Sequence, residues 1–290
     1  MSRKPSFIAW LERRARQSAD DNLQPSLQQR YNQGTLTMDL MLQRKNAVVV
    51  GATRGIGRAI AELLVDEGCN VSICARDQGG VDAAVSELAV GDVKVMGAAL
   101  DASNRDAQTA WINDTADAFG GLDIFIANAS AMNLANDDAA WNESFQVDMM
   151  ATFNGAEAAI PHLNNSDAGA MVFISSIAAL HTPGGPKAYG AMKAGVINYA
   201  KGLARSLAPD GVRVNCVSPG NIYFEDGVWG RVETNNREFF EKQVAANPMG
   251  RMGKPDEVAK AAAFLASPAA SFVSGTNLIV DGALTLGVQY

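Results

Sequence analysis

Seven short apolar runs, alternating with amphipathic segments of helix length, predict an α/β fold: a single domain in which a doubly wound parallel sheet carries helices on both faces. The predicted strands are 47–50, 71–75, 93–99, 122–127, 170–175, 212–217 and 278–280. They are continuously rather than alternately apolar, which indicates burial on both faces and hence a parallel sheet. The predicted helices lie near 56–67, 79–89, 104–119, 139–163, 187–208 and 256–266. This βαβ rhythm runs from Asn46 to the carboxyl end without an internal repeat or a second domain. In such folds ligands sit at the carboxyl ends of the strands.

Composition narrows the function classes. Of 290 residues, 48% are hydrophobic and 19% charged, which supplies a core and excludes a mainly disordered chain. Asp and Glu outnumber Lys and Arg by 31 to 24, a formal charge of −7 that argues against a general nucleic-acid binder. Cys69, Cys74 and Cys216 show no CxxC spacing and read as small buried hydrophobes in a reducing, cytoplasmic setting. With only His162 and His181 as imidazoles, a His-built metal site is not expected, and no metal is assigned. No apolar run approaches the ~20 residues that span a bilayer.

Residues 1–37 stand apart. They hold Arg3, Lys4, Arg13, Arg14, Arg16 and Arg30 against Glu12, Asp20 and Asp21, and the polar stretch after Arg16 lacks periodicity. Phe7, Ile8, Leu11 and Ala15 fall at helical spacing, so residues 5–16 are compatible with a short amphipathic helix. The apolar core and cleavage site of a secretory signal are missing, and the acidic residues weaken a transit-peptide reading. The segment is read as a flexible amino-terminal extension to a domain spanning 38–290, with Met38 as an alternative start.

The first strand runs into Gly51, Ala52, Thr53, Arg54, Gly55, Ile56 and Gly57, followed by a helix. Glycines here permit a tight turn and let backbone amides approach a pyrophosphate at a helix amino terminus, the Rossmann-type device for dinucleotides. The end of the second strand would then face the adenosine ribose, where an acidic residue suits NAD and an arginine suits the 2′-phosphate of NADP. Ala75 occupies the acidic position, Arg76 follows it, Arg54 lies in the glycine loop, and Asp77 comes one step late. NADP(H) is therefore the expected cofactor, with NAD(H) the alternative.

Tyr189 and Lys193 lie four apart in a predicted helix and so share a face. A free phenol titrates near pH ~10, and an adjacent ammonium favours its phenolate, bringing it toward proton transfer at neutral pH. Ser176, thirteen residues before Tyr189, follows a strand where its hydroxyl meets a carbonyl oxygen.

The glycine loop together with the Ser–Tyr–Lys set resembles the short-chain dehydrogenase/reductase family, and the resemblance extends from about Lys45 to the end of the chain. It includes Asp101 and Ala102 after the third strand, Asn128-Ala129 after the fourth, Pro219-Gly220 after the sixth, and the tail from Gly275 through Asp281-Gly282. The resemblance implies that Asp101 and Ala102 border the adenine and that Asn128 and Ala129 support the central ribose and sheet. Pro219, Gly220 and Ile222 would cover the nicotinamide. It further implies hydride transfer between nicotinamide and a ketone or secondary alcohol. Tyr189 is then the proton donor, Ser176 the partner of the same oxygen, and Lys193 the residue that tunes Tyr189 and holds the nicotinamide ribose. A homotetramer is expected on the same ground. Among substrates the resemblance suggests a 3-oxoacyl thioester, as for 3-oxoacyl-(acyl-carrier-protein) reductases, or a cyclic or aromatic ketone.

Departures from the family pattern are specific. Its Asn-Asn-Ala-Gly stretch appears as Ala127-Asn128-Ala129-Ser130, the helix asparagine that often completes a catalytic tetrad is Asp148, and a threonine that contacts the nicotinamide amide is Phe224. Asp148 is taken as a catalytic supporting residue with a structural cap as the alternative. Phe224 and Asp148 keep open a noncatalytic NADP(H)-binding sensor or scaffold. Residues 222–247, where the family places its substrate lid, interleave Tyr223, Phe224, Val228, Trp229, Phe239 and Phe240 with charges. Aromatics there suit a hydrophobic or cyclic substrate. His181, Met132 and Asn133 are minor pocket candidates.

Overall fold

β1 (Asn46–Val50) begins with one polar residue and continues through Ala and three valines, a β-branched run with no surface to give to water. It is an interior strand, third in a seven-stranded parallel sheet of order β3-β2-β1-β4-β5-β6-β7. β2 spans Asn70–Ala75, β3 Val95–Ala99, β4 Ile124–Ala127, β5 Ala170–Ile174, β6 Arg213–Pro219 and β7 Asn277–Val280. In this computed structural model the described residues are 38–182 and 185–288. The reading of residues 1–37 as an extension falls outside them.

The strand order reverses between β1 and β4, which pair in register with Val50 opposite Ala127. A crevice opens at the carboxyl ends of strands where neighbouring connections leave in opposite directions. The glycine loop after β1 and the Asn128 loop after β4 both emerge there.

Two apolar layers sandwich the sheet. On one side Ile60 and Leu64 of α1 (Gly55–Asp66), Ala84 and Leu88 of α2 (Gln78–Leu88), and Val258, Ala262 and Leu265 of α9 (Pro255–Ala266) pack on Val49, Ile73 and Ile126. On the other, Trp111 and Ile112 of α3 (Arg105–Phe119), Ala156 and Leu163 of α5 (Ala151–Leu163), and Val196 and Ala200 of α6 (Ala188–Leu207) pack on Val48, Phe125 and Phe173. All three cysteines are buried in these layers. Burial pushes each thiol up to about 12.

Short polar side chains start several helices. Asn104 accepts from the Ala107 amide at 3.1 Å, and Asp137 caps α4 (Asp138–Ser144) through the Ala140 amide at 2.8 Å. The segment predicted as one helix over 139–163 is divided: a π-helical stretch, Phe145–Met150, lies between α4 and α5. The apolar period carries no mark of this insertion, because a π turn arises from one extra residue accommodated by tertiary contacts. The segment 222–247 contains two helices, α7 (Val228–Asn235) and α8 (Arg237–Ala246).

Arg213 on β6 is buried, and its guanidinium donates to the carbonyls of Leu265 (2.6 Å), Ala266 (3.1 Å) and Ser267 (3.0 Å). It thus satisfies the carboxyl end of α9, where orphan carbonyls and the helix dipole both favour a cation. Arg213→Leu strands those acceptors in the core and is expected to cost ~2–4 kcal/mol, read as a lowered midpoint in urea unfolding at unchanged slope.

Candidate active site

A cleft of about 670 Å³ runs along the carboxyl edge of the sheet across the switch point. Its lining collects segments far apart in sequence. Gly51, Thr53, Arg54, Gly55 and Ile56 come from the glycine loop, and Arg76, Asp101 and Ala102 from the ends of β2 and β3. Asn128 and Ala129 follow β4; Ser176, Tyr189 and Lys193 line the middle; Pro219, Gly220 and Ile222 follow β6. Two predicted site residues stay out of this lining. Gly57 packs behind the loop, where a Cβ would fall on the Gly51 carbonyl and the Asn128 amide. Asp148 is fully buried behind Lys193.

The glycine loop suits a pyrophosphate. Arg54, at the N-cap of α1, makes no side-chain cap, and the first turn holds no acidic residue, so the helix amino terminus is left to an anion. Asn128 Nδ2 donates to the Gly51 carbonyl at 2.7 Å and ties the loop to the end of β4. Gly55 has φ +59°, and a Cβ there would come within 2.6 Å of the Phe224 ring. Beyond β2, the Asp77 carboxylate accepts from the Gly80 amide at 2.6 Å as the cap of α2. Arg76 remains in the cleft. Asp101 is held below the ordinary carboxylate range chiefly by the Ser103 amide and hydroxyl, with Arg76 adding to the effect. The Arg54 guanidinium donates to the Asp226 carbonyl at 3.2 Å, tying the loop to the segment 222–247.

In the middle of the cleft, Ser176 starts a 3₁₀ turn (Ile177–Ala179), its hydroxyl accepting from the Ala178 amide at 3.1 Å. α6 approaches this turn closely at Gly190, where a Cβ would meet the Ala178 carbonyl at 2.6 Å. That approach sets Tyr189 beside Ser176. Burial pushes the Tyr189 phenol up, the Lys193 charge and then the Ser176 hydroxyl pull it down, and the Asp148 carboxylate pushes it up. The Lys193 ammonium is buried, donates to the Ile174 carbonyl at 3.0 Å, and lies 3.3 Å from Asp148 Oδ1. Ser175 Oγ donates to the Lys193 carbonyl at 3.0 Å, a second tie from β5 to α6.

The aromatics of 222–247 divide between two jobs. Phe224, Val228 and Trp229 line the cleft. Tyr223 and Phe240 pack edge to face at 5.8 Å, and Phe239 stacks against Trp229 at 6.3 Å. Met132 lines the cleft with φ +48°, whereas the Asn133 amide instead binds Glu143 at 2.8 Å. Glu143 and Ser130 also line the cleft without having been singled out in the sequence. Their signal was weak, a carboxylate on an ordinary helix and a serine where the family pattern has glycine. His181 is exposed and outside the described lining, and His162 bonds Asn113 Oδ1 at 2.8 Å.

A dinucleotide-type loop at the switch point, with Ser, Tyr and Lys gathered in one cleft, defines a nucleotide-dependent oxidoreductase architecture. A family model described as enoyl-(acyl carrier protein) reductase matches residues 51–285. The chain is 37% identical to isoepoxydon dehydrogenase of Penicillium expansum over 255 residues, covering 86% of this chain and 98% of that one. It is 34% identical to 3-oxoacyl-(acyl-carrier-protein) reductase of Vibrio harveyi, covering 84% and 98%. The crystal structure of a dehydrogenase/reductase from Sinorhizobium meliloti superposes with a TM-score of 0.77 at 32% identity, covering 85% and 97%. The chain belongs to the short-chain dehydrogenase/reductase family, enzymes that interconvert CH–OH and C=O groups with NAD(H) or NADP(H). Among the described residues, no helix is long and apolar enough to cross a membrane.

Gly55→Ala brings both a strained φ and a collision with Phe224 within the glycine loop. It is expected to weaken dinucleotide binding at least ~10-fold, measured by quenching of protein fluorescence on titration with the reduced cofactor.

Proposed function

We propose that the protein is an NADP(H)-dependent oxidoreductase that interconverts a ketone and a secondary alcohol, with Tyr189 as the acid/base group. What carries this reading is the convergence of Ser176, Tyr189 and Lys193 on one cleft next to the glycine loop. The nicotinamide, when bound, supplies or accepts the hydride. In the reductive direction the Tyr189 hydroxyl donates its proton to the developing alkoxide. Ser176 hydrogen-bonds the same oxygen and so fixes the carbonyl between donor and cofactor. Lys193, anchored by Ile174 and Asp148, offers its remaining N–H toward the cleft for the nicotinamide ribose and lowers the cost of phenolate.

The phosphate preference rests on Arg76. The one carboxylate that follows β2 closely is spent on capping α2, and the arginine beside it faces the cleft. Arg54 is a second candidate for the 2′-phosphate, reached by exchanging its lid carbonyl for the anion. A charged hydrogen bond to phosphate is worth roughly 1.5–3 kcal/mol, enough to set the preference.

The substrate end favours a free, largely apolar ketone of cyclic or aromatic type over a 3-oxoacyl thioester. Met132, Val147, Val228 and Trp229 supply its walls. The chain's acidic balance and the lack of a basic cluster in its body give an acidic carrier protein little to dock on. The same reading takes the enzyme as a cytoplasmic homotetramer, supported by three buried reduced thiols and by Leu278 left part-exposed on the edge strand β7.

Following nicotinamide absorbance over a panel of cyclic, aromatic and thioester ketones tests the whole reading. Turnover with NADPH is expected to exceed that with NADH, and Arg76→Ala should raise the KM for NADPH ~10–100-fold while leaving that for NADH within about twofold. Preference for NADH in the unaltered enzyme would overturn the cofactor assignment. Tyr189→Phe should cut turnover ~10²–10⁴-fold with NADPH affinity retained. Near-normal turnover in that variant would remove Tyr189 from the chemistry.

A further inference from the structure

Ser130 and Asp148 are two of the positions where the chain departs from its family's pattern, and they touch in the fold. Ser130 Oγ donates to Asp148 Oδ1 at 2.5 Å, and the same carboxylate oxygen lies 3.3 Å from Lys193 Nζ. The Ser130 oxygen also accepts from the Met132 amide at 3.2 Å, which leaves its O–H directed at the carboxylate. Asp148 projects from the π-helical stretch, a local irregularity that recurs at functional sites. It is fully buried, and its Oδ2 has no hydrogen-bond partner among the described residues. Burying a carboxylate with one oxygen unsatisfied is costly, so packing alone is a poor account of the residue. Asparagine would hold the lysine with less penalty.

We propose that Ser130 and Asp148 form one positioning unit. The serine hydroxyl fixes the carboxylate against Lys193, and the carboxylate fixes both the direction of the ammonium and how strongly its charge is felt at Tyr189. This rests on the reading of Tyr189 as the acid/base group. Neither residue needs to touch the reacting atoms, because Asp148 lies behind Lys193 and Ser130 acts through Asp148.

The electrostatic consequence has a definite sign. A lone ammonium beside the phenol favours phenolate; a carboxylate 3.3 Å from that ammonium reduces its field toward that of a dipole. The unit therefore keeps Tyr189 protonated to higher pH than lysine alone would, which favours the proton-donating form used in carbonyl reduction. The ionisable groups facing it are few. α6 contributes Tyr189 and Lys193, and the π-helical stretch contributes Asp148. β6 contributes Cys216, whose thiol burial pushes up to about 12. α4 contributes Glu143, bound by Asn133 at the cleft wall. β5 and the loop after β4 present neutral groups here, the Ile174 carbonyl, Ser175, Ser176, Asn128 and Ser130.

The test is a double-mutant cycle on the full-length enzyme. The kcat and cofactor KM of S130A, D148N, S130A/D148N and S130T are followed across a neutral-to-alkaline pH series, with thermal melts to verify folding. D148N is expected to move the Tyr189-dependent limb of the alcohol-oxidation profile acidward by about one pH unit. S130A should lower kcat ~10-fold with cofactor KM within about twofold, and S130T, which keeps the hydroxyl, should stay within about twofold of the parent. In the D148N background S130A should cost no more than about threefold, because a hydroxyl binds a neutral amide more weakly than a carboxylate. An unmoved limb in D148N, or the same S130A cost in both backgrounds, overturns the unit. If Tyr189→Phe has abolished turnover, that failure belongs to the unit alone; retained turnover in Tyr189→Phe overturns the acid/base reading beneath it.

Discussion

A buried ammonium needs partners, and Lys193 obtains them from two different elements. Removing such a charge from water costs on the order of several kcal/mol unless hydrogen bonds and a counter-charge replace the solvent. The Ile174 carbonyl at the end of β5 supplies one bond, and Asp148 in the π-helical stretch supplies the counter-charge. Lys193 therefore links the sheet edge, α6 and the α4–α5 helical rod. The Ser175 hydroxyl bonded to the Lys193 carbonyl reinforces the first of these links. Where that ammonium sits decides where Tyr189, one turn earlier on α6, meets the cleft.

The sheet makes this meeting possible. Parallel strands deliver every connection of one type to the same edge, and the reversal of order at β1 and β4 opens that edge into a crevice. The glycine loop enters from one side and the Asn128 loop from the other, joined by the Asn128 bond to Gly51. Phe224, from the segment 222–247, packs its ring against Gly55 of the glycine loop and against Gly227. A phenyl ring in place of the threonine that the family resemblance sets at the nicotinamide amide exchanges a hydroxyl for apolar contact with the glycine loop.

Much of this was legible in the chain. The strand positions hold to within two residues at either end because continuous apolar runs bounded by helical patterns leave few alternative pairings. The glycine loop and the Tyr189–Lys193 pair announce themselves because their spacing fixes which atoms share a face. Other features had no local trace. The π turn leaves the apolar period of 139–163 intact, yet it governs how Asp148 is presented. The sequence placed Asp77 one step late for the ribose, but its capping of α2, and the consequence for Arg76, appear only in the fold. The aromatics of 222–247 look alike in sequence; three-dimensional neighbours separate Trp229 and Phe224, which line the cleft, from Tyr223 and Phe240, which pack on each other.

The parallel sheet, the dinucleotide-type loop and the family can be read from the chain, because each depends on residue type and spacing along one strand or one helix. Tertiary structure alone decided that Ser130, eighteen residues from Asp148, lies within hydrogen-bonding distance of its carboxylate, and that this carboxylate stands behind Lys193 and away from the cleft. Two substitutions that look independent along the chain become one electrostatic unit, since charge acts through space and burial strengthens it, and neither distance nor burial is written in local sequence.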